Sequence, residues 1–235
     1  MERNPKVTIV CSTFNSAKWI DGYLESVNNQ LEKEFDIIFV DAGSDDGSWK
    51  TITNYQFRKG ISPQYIQEPG CSIYEAWNTG YSKSKTEYTM NFNTDDRLYP
   101  AAISTLLAYA IANPQADMIY SSYLTVKDKE HNQIVNLSMA PEMSKETLIA
   151  NNICGPFPLL RTKAIIEAGL FNPKYTISGD YEMWLRMLSK GCELMNISEA
   201  IGTYFFNPEG MSTNRESKHW QEHIKQDTEI RRIYA

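Results

Sequence analysis

What most constrains this chain is the regular alternation of short apolar runs and amphipathic segments over its first 126 residues, each run stopping at polar residues. "KVTIVCSTFN" (6–15) opens with a β-branched run and ends in a polar turn, as a buried strand feeding a loop does. Over 16–29, Trp19, Ile20, Tyr23, Leu24 and Val27 recur at helical spacing. "FDIIFV" (35–40) is a second strand, closed by "DAGSDDGS" (41–48); a helix follows near Trp49, capped by Ser48 or Asp46. "PQYIQ" (63–67), "EYTMNF" (87–92) and "DMIYSSYLTV" (117–126) are further strands, with helices over 72–84 and 100–112. Such alternation predicts an α/β fold: a doubly wound, mostly parallel sheet with helices on both faces. Ligands of these sheets sit outside the carboxyl ends of the strands. The clusters 12–15, 41–48 and 93–97 all lie at such ends, so three loops point at one crevice.

Beyond residue 126 the rhythm changes. "KDKEHNQ" (127–133) reads as a charged turn between antiparallel strands, and 143–170 as helical segments around "CGPFPLLR". "ISGDYEMWLRMLSKG" (177–191) is a helix with a Met183, Trp184, Met187 and Leu188 stripe, stopped by Gly191. "ELMNIS" and "IGTYFF" predict two short strands, and 214–234 a charged terminal helix. No internal repeat or linker divides the chain, which reads as one domain of 235 residues, with 127–235 forming a C-terminal subdomain continuous with the first half.

Net charge of −6 argues against a nucleic-acid partner. No apolar run approaches the ~20 residues of a membrane span, and no apolar core follows "MERNPK". Cys11, Cys71, Cys154 and Cys192 are widely spaced, which suits reduced, mostly buried thiols in a cytoplasmic protein. The phosphate-loop and dinucleotide glycine patterns are absent, as is a G-x-S-x-G elbow.

Three acidic stretches carry candidate chemistry. In "VDAGSDDGS", Asp41 at a strand end suits a ribose hydroxyl or a base N–H, with backbone N–H groups of the Gly/Ser turn beside it; a bare turn is the alternative. In "NTDDR", Asp95 and Asp96 are either a solvated turn or a pair of hard oxygen ligands for Mg²⁺ or Mn²⁺. Arg97 either supports phosphates or anchors the loop. In "SGDYEMWLR", Asp180 is either a first-turn helix acid or a general base, with Glu182 on another face. His131 lies in a charged loop and is expected to be exposed; His219 and His223 read as a solvated helix face.

In this order the pieces resemble the family 2 glycosyltransferases, which have the GT-A fold. The likeness begins at "PKVTIVCSTFNSAKWIDGYLESVNNQ" and continues through "FDIIFVDAGSDDGS" and "GCSIYEAWNTGYSKSKTEYTMNFNTDDRLYP" to "GLFNPKYTISGDYEMWLRMLSKG". A weaker echo follows in "FNPEGMS". The resemblance implies a nucleoside-diphosphate sugar donor, with a UDP-sugar foremost, a divalent cation, Mn²⁺ or Mg²⁺, and inversion at the anomeric carbon. It implies a donor-binding half over 1–126 and an acceptor-side half over 127–235. By position, Thr13, Phe14 and Asn15 would line the nucleotide pocket, Asp41 and Ser44 would hold the nucleoside, Asp95 and Asp96 would bind metal and donor, and Asp180 would be the base. The acceptor would be a saccharide or a lipid-linked glycan for surface polysaccharide, placing a cytoplasmic enzyme peripherally at the inner membrane face.

The chain departs from the family pattern at Ala42, where a second acid is common, and at Asn93, where a D-x-D motif would carry its first acid. Gly70, Ser72 and Glu75 also differ, and Gly179 stands where an acid often precedes Asp180. No Q-x-x-R-W occurs, which argues against a processive polymer synthase. A nucleotidyltransferase and a non-catalytic nucleotide-sugar-binding module remain as alternatives.

Overall fold

The computed structural model describes residues 3–150, 154–211 and 213–235. In chain order the elements are β1 (Val7–Thr13), α1 (Ile20–Asn28), β2 (Phe35–Asp41), α2 (Ser48–Asn54), β3 (Ile61–Gln67), α3 (Ile73–Lys83) and β4 (Tyr88–Asn91). Then come β5 (Arg97–Leu98), α4 (Ala102–Ala112), β6 (Met118–Val126), β7 (Ile134–Ser138), α5 (Lys145–Ala150) and β8 (Leu159–Arg161). The chain closes with α6 (Thr162–Ala168), α7 (Gly179–Ser189), β9 (Leu194–Phe205) and α8 (Lys218–Tyr234).

Among the described residues nine strands form one sheet in the order β3-β2-β1-β4-β8-β6-β9-β5, with β7 paired to β6. β1 to β4 are parallel, and so are β6 and β9; β8 runs antiparallel to both β4 and β6. Strand order reverses between β1 and β4, which is where a doubly wound sheet opens its crevice. β1 carries buried residues on consecutive positions because helices cover both of its faces. Val7, Ile9 and Cys11 face α1, α2 and α4, whereas Val10 faces α3 and the α5–α8 side. The sheet thus has a large core on each face, with a smaller cluster of Ile38, Val40 and Ala76 between β2 and α3.

The structure refines the second half. The charged turn at 127–133 does join an antiparallel pair, β6 and β7. Within 143–170, helices α5 and α6 flank a strand, β8, that periodicity does not reveal because it has only three residues. The expected helical stretch also spans 151–153, which lie outside the described residues. "ELMNIS" and "IGTYFF" form one strand, β9, whose register with β6 shifts at Ser121/Ser122 and Ser122/Leu124. That irregularity absorbs the polar "SEA" which reads as a break in the sequence. The helix ending at Ser189 closes through Gly191, whose φ of 84° is open to glycine at little cost.

Candidate functional site

Loops from the carboxyl ends of β1, β2, β3 and β4, together with the chain leaving β9, enclose a cavity of about 610 Å³. Thr13, Phe14 and Asn15 form one wall; Ala42 and Gly70 to Ile73 form another; Asn93, Thr94 and Asp95 close a third. The fourth side is Tyr204 and Phe205 with Asn207, Glu209, Gly210, Met211 and Thr213.

The first two loops are braced against each other. Asn15, at φ 47°, donates its N–H to Ser44 Oγ at 2.9 Å and accepts the Asp45 N–H on Oδ1 at 3.0 Å. Asp46 accepts the Ala17 N–H at 2.7 Å, along with the Ser48 hydroxyl and N–H. Desolvation works to raise the Asp46 carboxyl, but these hydrogen bonds outweigh it and hold the group below the usual carboxylate range. Thr13 donates to Ser16 Oγ at 3.0 Å. Phe14 is left standing at the lip of the cavity, 62% exposed.

Asp41 is turned inward and fully enclosed. It accepts the N–H groups of Gly43 and Ser44 at 3.1 and 3.0 Å, the Ser44 hydroxyl at 2.5 Å and Gln67 Nε2 at 3.3 Å. Its carboxylate shapes the turn, and its neighbour Ala42 faces the cavity. Beside it, α3 begins at the cavity with a capping box: Ser72 accepts the Glu75 N–H and Glu75 accepts the Ser72 N–H.

The two acids of "NTDDR" part company. Asp95 lines the cavity, half-buried; Asp96 is wholly enclosed, with Oδ1 accepting the Phe205 N–H at 3.0 Å and Oδ2 unpartnered. Burial pushes both carboxyls up, and for Asp96 the Asp95 charge adds to the effect. Arg97 directs its donors to the carbonyls of Thr94, Asp96 and Trp19 at 3.0, 2.6 and 3.2 Å, so it anchors the loop. Among the described residues no three His, Cys, Asp or Glu form a metal cage. A hard divalent cation that keeps its waters and shares diphosphate oxygens needs only one or two carboxylates. Asp95, desolvated and facing the cavity with the Asn207 side chain donating to it, fits that role; Asp96 would have to turn to join it.

His131 overturns its expected exposure. Its Nδ1 lies 2.6 Å from Thr203 Oγ1 and its Nε2 3.0 Å from the Asp95 carbonyl. A carbonyl only accepts, so Nε2 carries the proton and Nδ1 accepts from the Thr203 hydroxyl. Burial, then the Arg97 charge, lowers its pKa to about 4, keeping the ring neutral. The charged β6–β7 turn thereby fixes the Asp95 backbone from outside the cavity. No local signal announces this contact, which spans 36 residues. Asn207 and Glu209 were likewise visible only as part of the "FNPEGMS" echo. Glu209 lies 4.0 Å from Lys18, whose ammonium sits over Trp19.

Asp180 lies outside this cavity wall, in the first turn of α7, half-buried. Tyr74 of α3 connects the two, because Ile73 and Ala76 line the cavity while the Tyr74 hydroxyl lies 3.2 Å from Asp180 Oδ1 and 2.5 Å from the Ile177 carbonyl. Burial raises the Asp180 carboxyl against hydrogen bonds from Tyr181 N–H and Tyr74. Glu182 is buried against Arg186 and Tyr234 and locks α7 to α8. His219 is exposed as expected, but His223 is partly buried on Trp220, 3.5 Å from Asp227. Of the cysteines only Cys11 is fully buried; all four are free thiols.

A crevice at the strand-order reversal, bounded by the loops that leave the carboxyl ends of parallel strands, is where a doubly wound α/β sheet takes a ligand, and the fold is of the GT-A type. The chain belongs to glycosyl transferase family 2, whose model matches residues 8–169. An uncharacterized glycosyltransferase of Haemophilus influenzae is 25% identical over 219 residues, covering 87% of this chain and 66% of that one. The chondroitin synthase of Escherichia coli is 25% identical over 191 residues, 81% of this chain but 28% of that one. Among solved structures, S. aureus TarS 1–349 with UDP-GlcNAc superposes at a TM-score of 0.76 with 17% identity, covering 96% of this chain and 66% of that one. A mannosyltransferase from Pyrobaculum calidifontis with GDP-Man and Mn²⁺ gives 0.66, with 14% identity and coverage of 94% and 65%. The chain therefore spans two thirds or less of the length of each of these relatives. Among the described residues no helix is long and apolar enough to cross a membrane.

Proposed function

We propose that this chain transfers a sugar from a nucleoside-diphosphate sugar to an acceptor hydroxyl in polysaccharide or glycoconjugate synthesis, with inversion and with Mn²⁺ or Mg²⁺ at Asp95. The observation that carries the reading is the Asp95 carboxylate, desolvated at the cavity wall with Arg97 turned away to carbonyls. Phe14 stacks on the nucleobase, while Thr13, Asn15, Ser44 and Asp41 hold the loops that receive the nucleoside. Asp95 would hold the cation, which when bound would supply positive charge to offset the charge of the departing diphosphate. Asp180 takes the proton of the acceptor hydroxyl, whose oxygen bonds to the anomeric carbon as the bond to the diphosphate oxygen breaks. UDP, UDP-GlcNAc and GDP-Man in the structural neighbours support a nucleotide-sugar donor. A Campylobacter jejuni relative named as a GalNAc(5)-diNAcBac-PP-undecaprenol β-1,3-glucosyltransferase, 23% identical over 191 residues, supports a lipid-linked acceptor and peripheral membrane association.

Titration calorimetry of UDP with and without Mn²⁺ tests the site. Mn²⁺ should tighten UDP binding to the native chain by about tenfold or more, and Asp95→Asn should abolish that gain. Equal Mn²⁺ enhancement in Asp95→Asn would remove the cation from this position. A panel of nucleotide-sugars read by melting temperature then selects the donor.

A further inference from the structure

The matched family region ends at residue 169, yet the acid assigned as base begins a helix whose first turn is held by the last helix of the chain. Gln226 of α8 is 4% exposed, and its Oε1 accepts two backbone N–H groups, those of Ile177 and Ser178, each at 3.1 Å. Its Nε2 donates to Thr176 Oγ1 at 3.0 Å and to Glu222 at 3.1 Å. The next residue, Asp227, accepts the Ser178 hydroxyl at 2.6 Å. From the opposite side the Tyr74 hydroxyl holds the Ile177 carbonyl. Every polar group of the 177–178 backbone that precedes the Asp180 turn is thus fixed by a side chain, except the Ser178 carbonyl, which accepts the helical N–H of Glu182.

We propose that Gln226 and Asp227 are positioning residues for the Asp180 carboxylate, so that α8 belongs to the catalytic apparatus without touching substrate. This rests on the assignment of Asp180 as the base. A surface helix needs only an apolar stripe to dock, and Ile230, fully buried in the α7 core, supplies one. A buried glutamine bridging two amides is not needed for docking. It fixes the direction in which α7 starts, and with it the aim of Asp180. An error of about 1 Å in such a group can cost roughly a hundredfold in rate.

Asp227 also acts through charge. The titratable groups that bear on Asp180 are Tyr74 from α3, Cys154 from the segment before β8 and Asp227 from α8. Asp227 is in turn 3.5 Å from His223 and 4.0 Å from Arg231. A negative charge near a carboxylate disfavours its ionised form and strengthens it as a base. Asp227→Asn keeps an acceptor for Ser178 and removes the charge, which separates aim from electrostatics.

The test uses the full chain. Carboxyl carbon resonances are followed through a pH titration, with Asp180 identified by Asp180→Asn, and amide exchange is read at Ile177 and Ser178. Gln226→Ala should speed exchange of those two amides by about tenfold or more. It should lower turnover of the donor chosen by melting temperature about tenfold, with the donor KM unchanged. Gln226→Glu combined with Glu222→Gln, which keeps an oxygen towards the two amides and exchanges donor and acceptor across the 3.1 Å contact between the two side chains, should restore both. Asp227→Asn should lower the Asp180 titration midpoint by roughly half a pH unit, the screened remainder of a like-charge effect. Unchanged exchange in Gln226→Ala, or an unmoved Asp180 midpoint in Asp227→Asn, overturns the proposal. Faster exchange with native turnover, where Asp180→Asn is inactive, overturns it and spares the base assignment. Native turnover in Asp180→Asn removes the base assignment itself.

Discussion

Phe14→Ala isolates the nucleotide end of the cavity. The ring is 62% exposed, so its removal should change stability by no more than about 0.5 kcal/mol. The loop that carries it is held by the Asn15–Ser44, Asn15–Asp45 and Ala17–Asp46 hydrogen bonds, none of which involves the Phe14 side chain. Its shape should therefore survive, and the ring is presented with little ordering cost. Base–aromatic stacking contributes about 1–3 kcal/mol. At an exposed lip, with water on one face, the lower part of that range applies. A loss of about 1–2 kcal/mol weakens binding by about 5- to 30-fold. Calorimetry with UDP and Mn²⁺ reads the loss, and thermal unfolding checks the fold. GDP, if it binds, should weaken by a similar factor, because every base offers a π-face. Phe14→Tyr should bind like the native chain. A change in UDP affinity below about twofold in Phe14→Ala, with unchanged melting, would refute the stacking assignment.

Gly179→Ala places a Cβ 2.9–3.0 Å from three atoms of the Tyr74 ring, itself packed against both Trp77 and Phe171. The ring must shift, at about 1–3 kcal/mol in denaturant unfolding; turnover should fall while calorimetric UDP affinity stays native, and native turnover would disconnect Tyr74 from Asp180. Burial raises the Asp180 carboxyl, and a base acts only when ionised, so turnover should decline as pH falls through a midpoint above the ordinary value of about 3.9. The linked stability has the opposite sense: this group's contribution is present below its unfolded pKa and lost as pH rises through the folded one. A pH–rate profile with its acidic limb at or below the free-carboxyl value would contradict the assignment. Glu182→Gln weakens a pair whose side chains are 6% and 18% exposed, and should cost about 3 kcal/mol, seen as a lower denaturation midpoint. An unmoved midpoint would show that the Arg186 bonds to the Ala168 and Leu170 carbonyls suffice.

Most of the first half of the fold was legible because β1 and β2 are seven-residue, largely apolar or β-branched runs bounded by turn signals and the helices beside them carry apolar stripes, whereas the two-residue β5 (Arg97–Leu98) leaves no such signal. The capping box of Ser72 and Glu75 at the start of α3 is a further local signal, which the reading from apolar spacing did not use. The second half yielded less. Leu159–Arg161 is too short for any period, and its strand state comes from pairing with β4 on one side and β6 on the other. The polar interruption in β9 reads as an end because the bulge that tolerates it is a property of two strands. In the site, the loops at 12–15, 41–48 and 93–97 were recognisable from residue type and strand position. Their internal division of labour was not.

Sequence by itself determined the alternating architecture, the end of the sheet where ligands bind and the residue types gathered there. These follow from local patterning and from the direction of parallel strands. Only tertiary structure decided that Asp95 faces the cavity while Asp96 is sealed against Phe205, and that a histidine from a charged hairpin braces the Asp95 backbone. Adjacent residues of one type have the same composition and the same local propensity. Which of them meets solvent and which meets a backbone amide 109 residues away depends on the path of the chain between them.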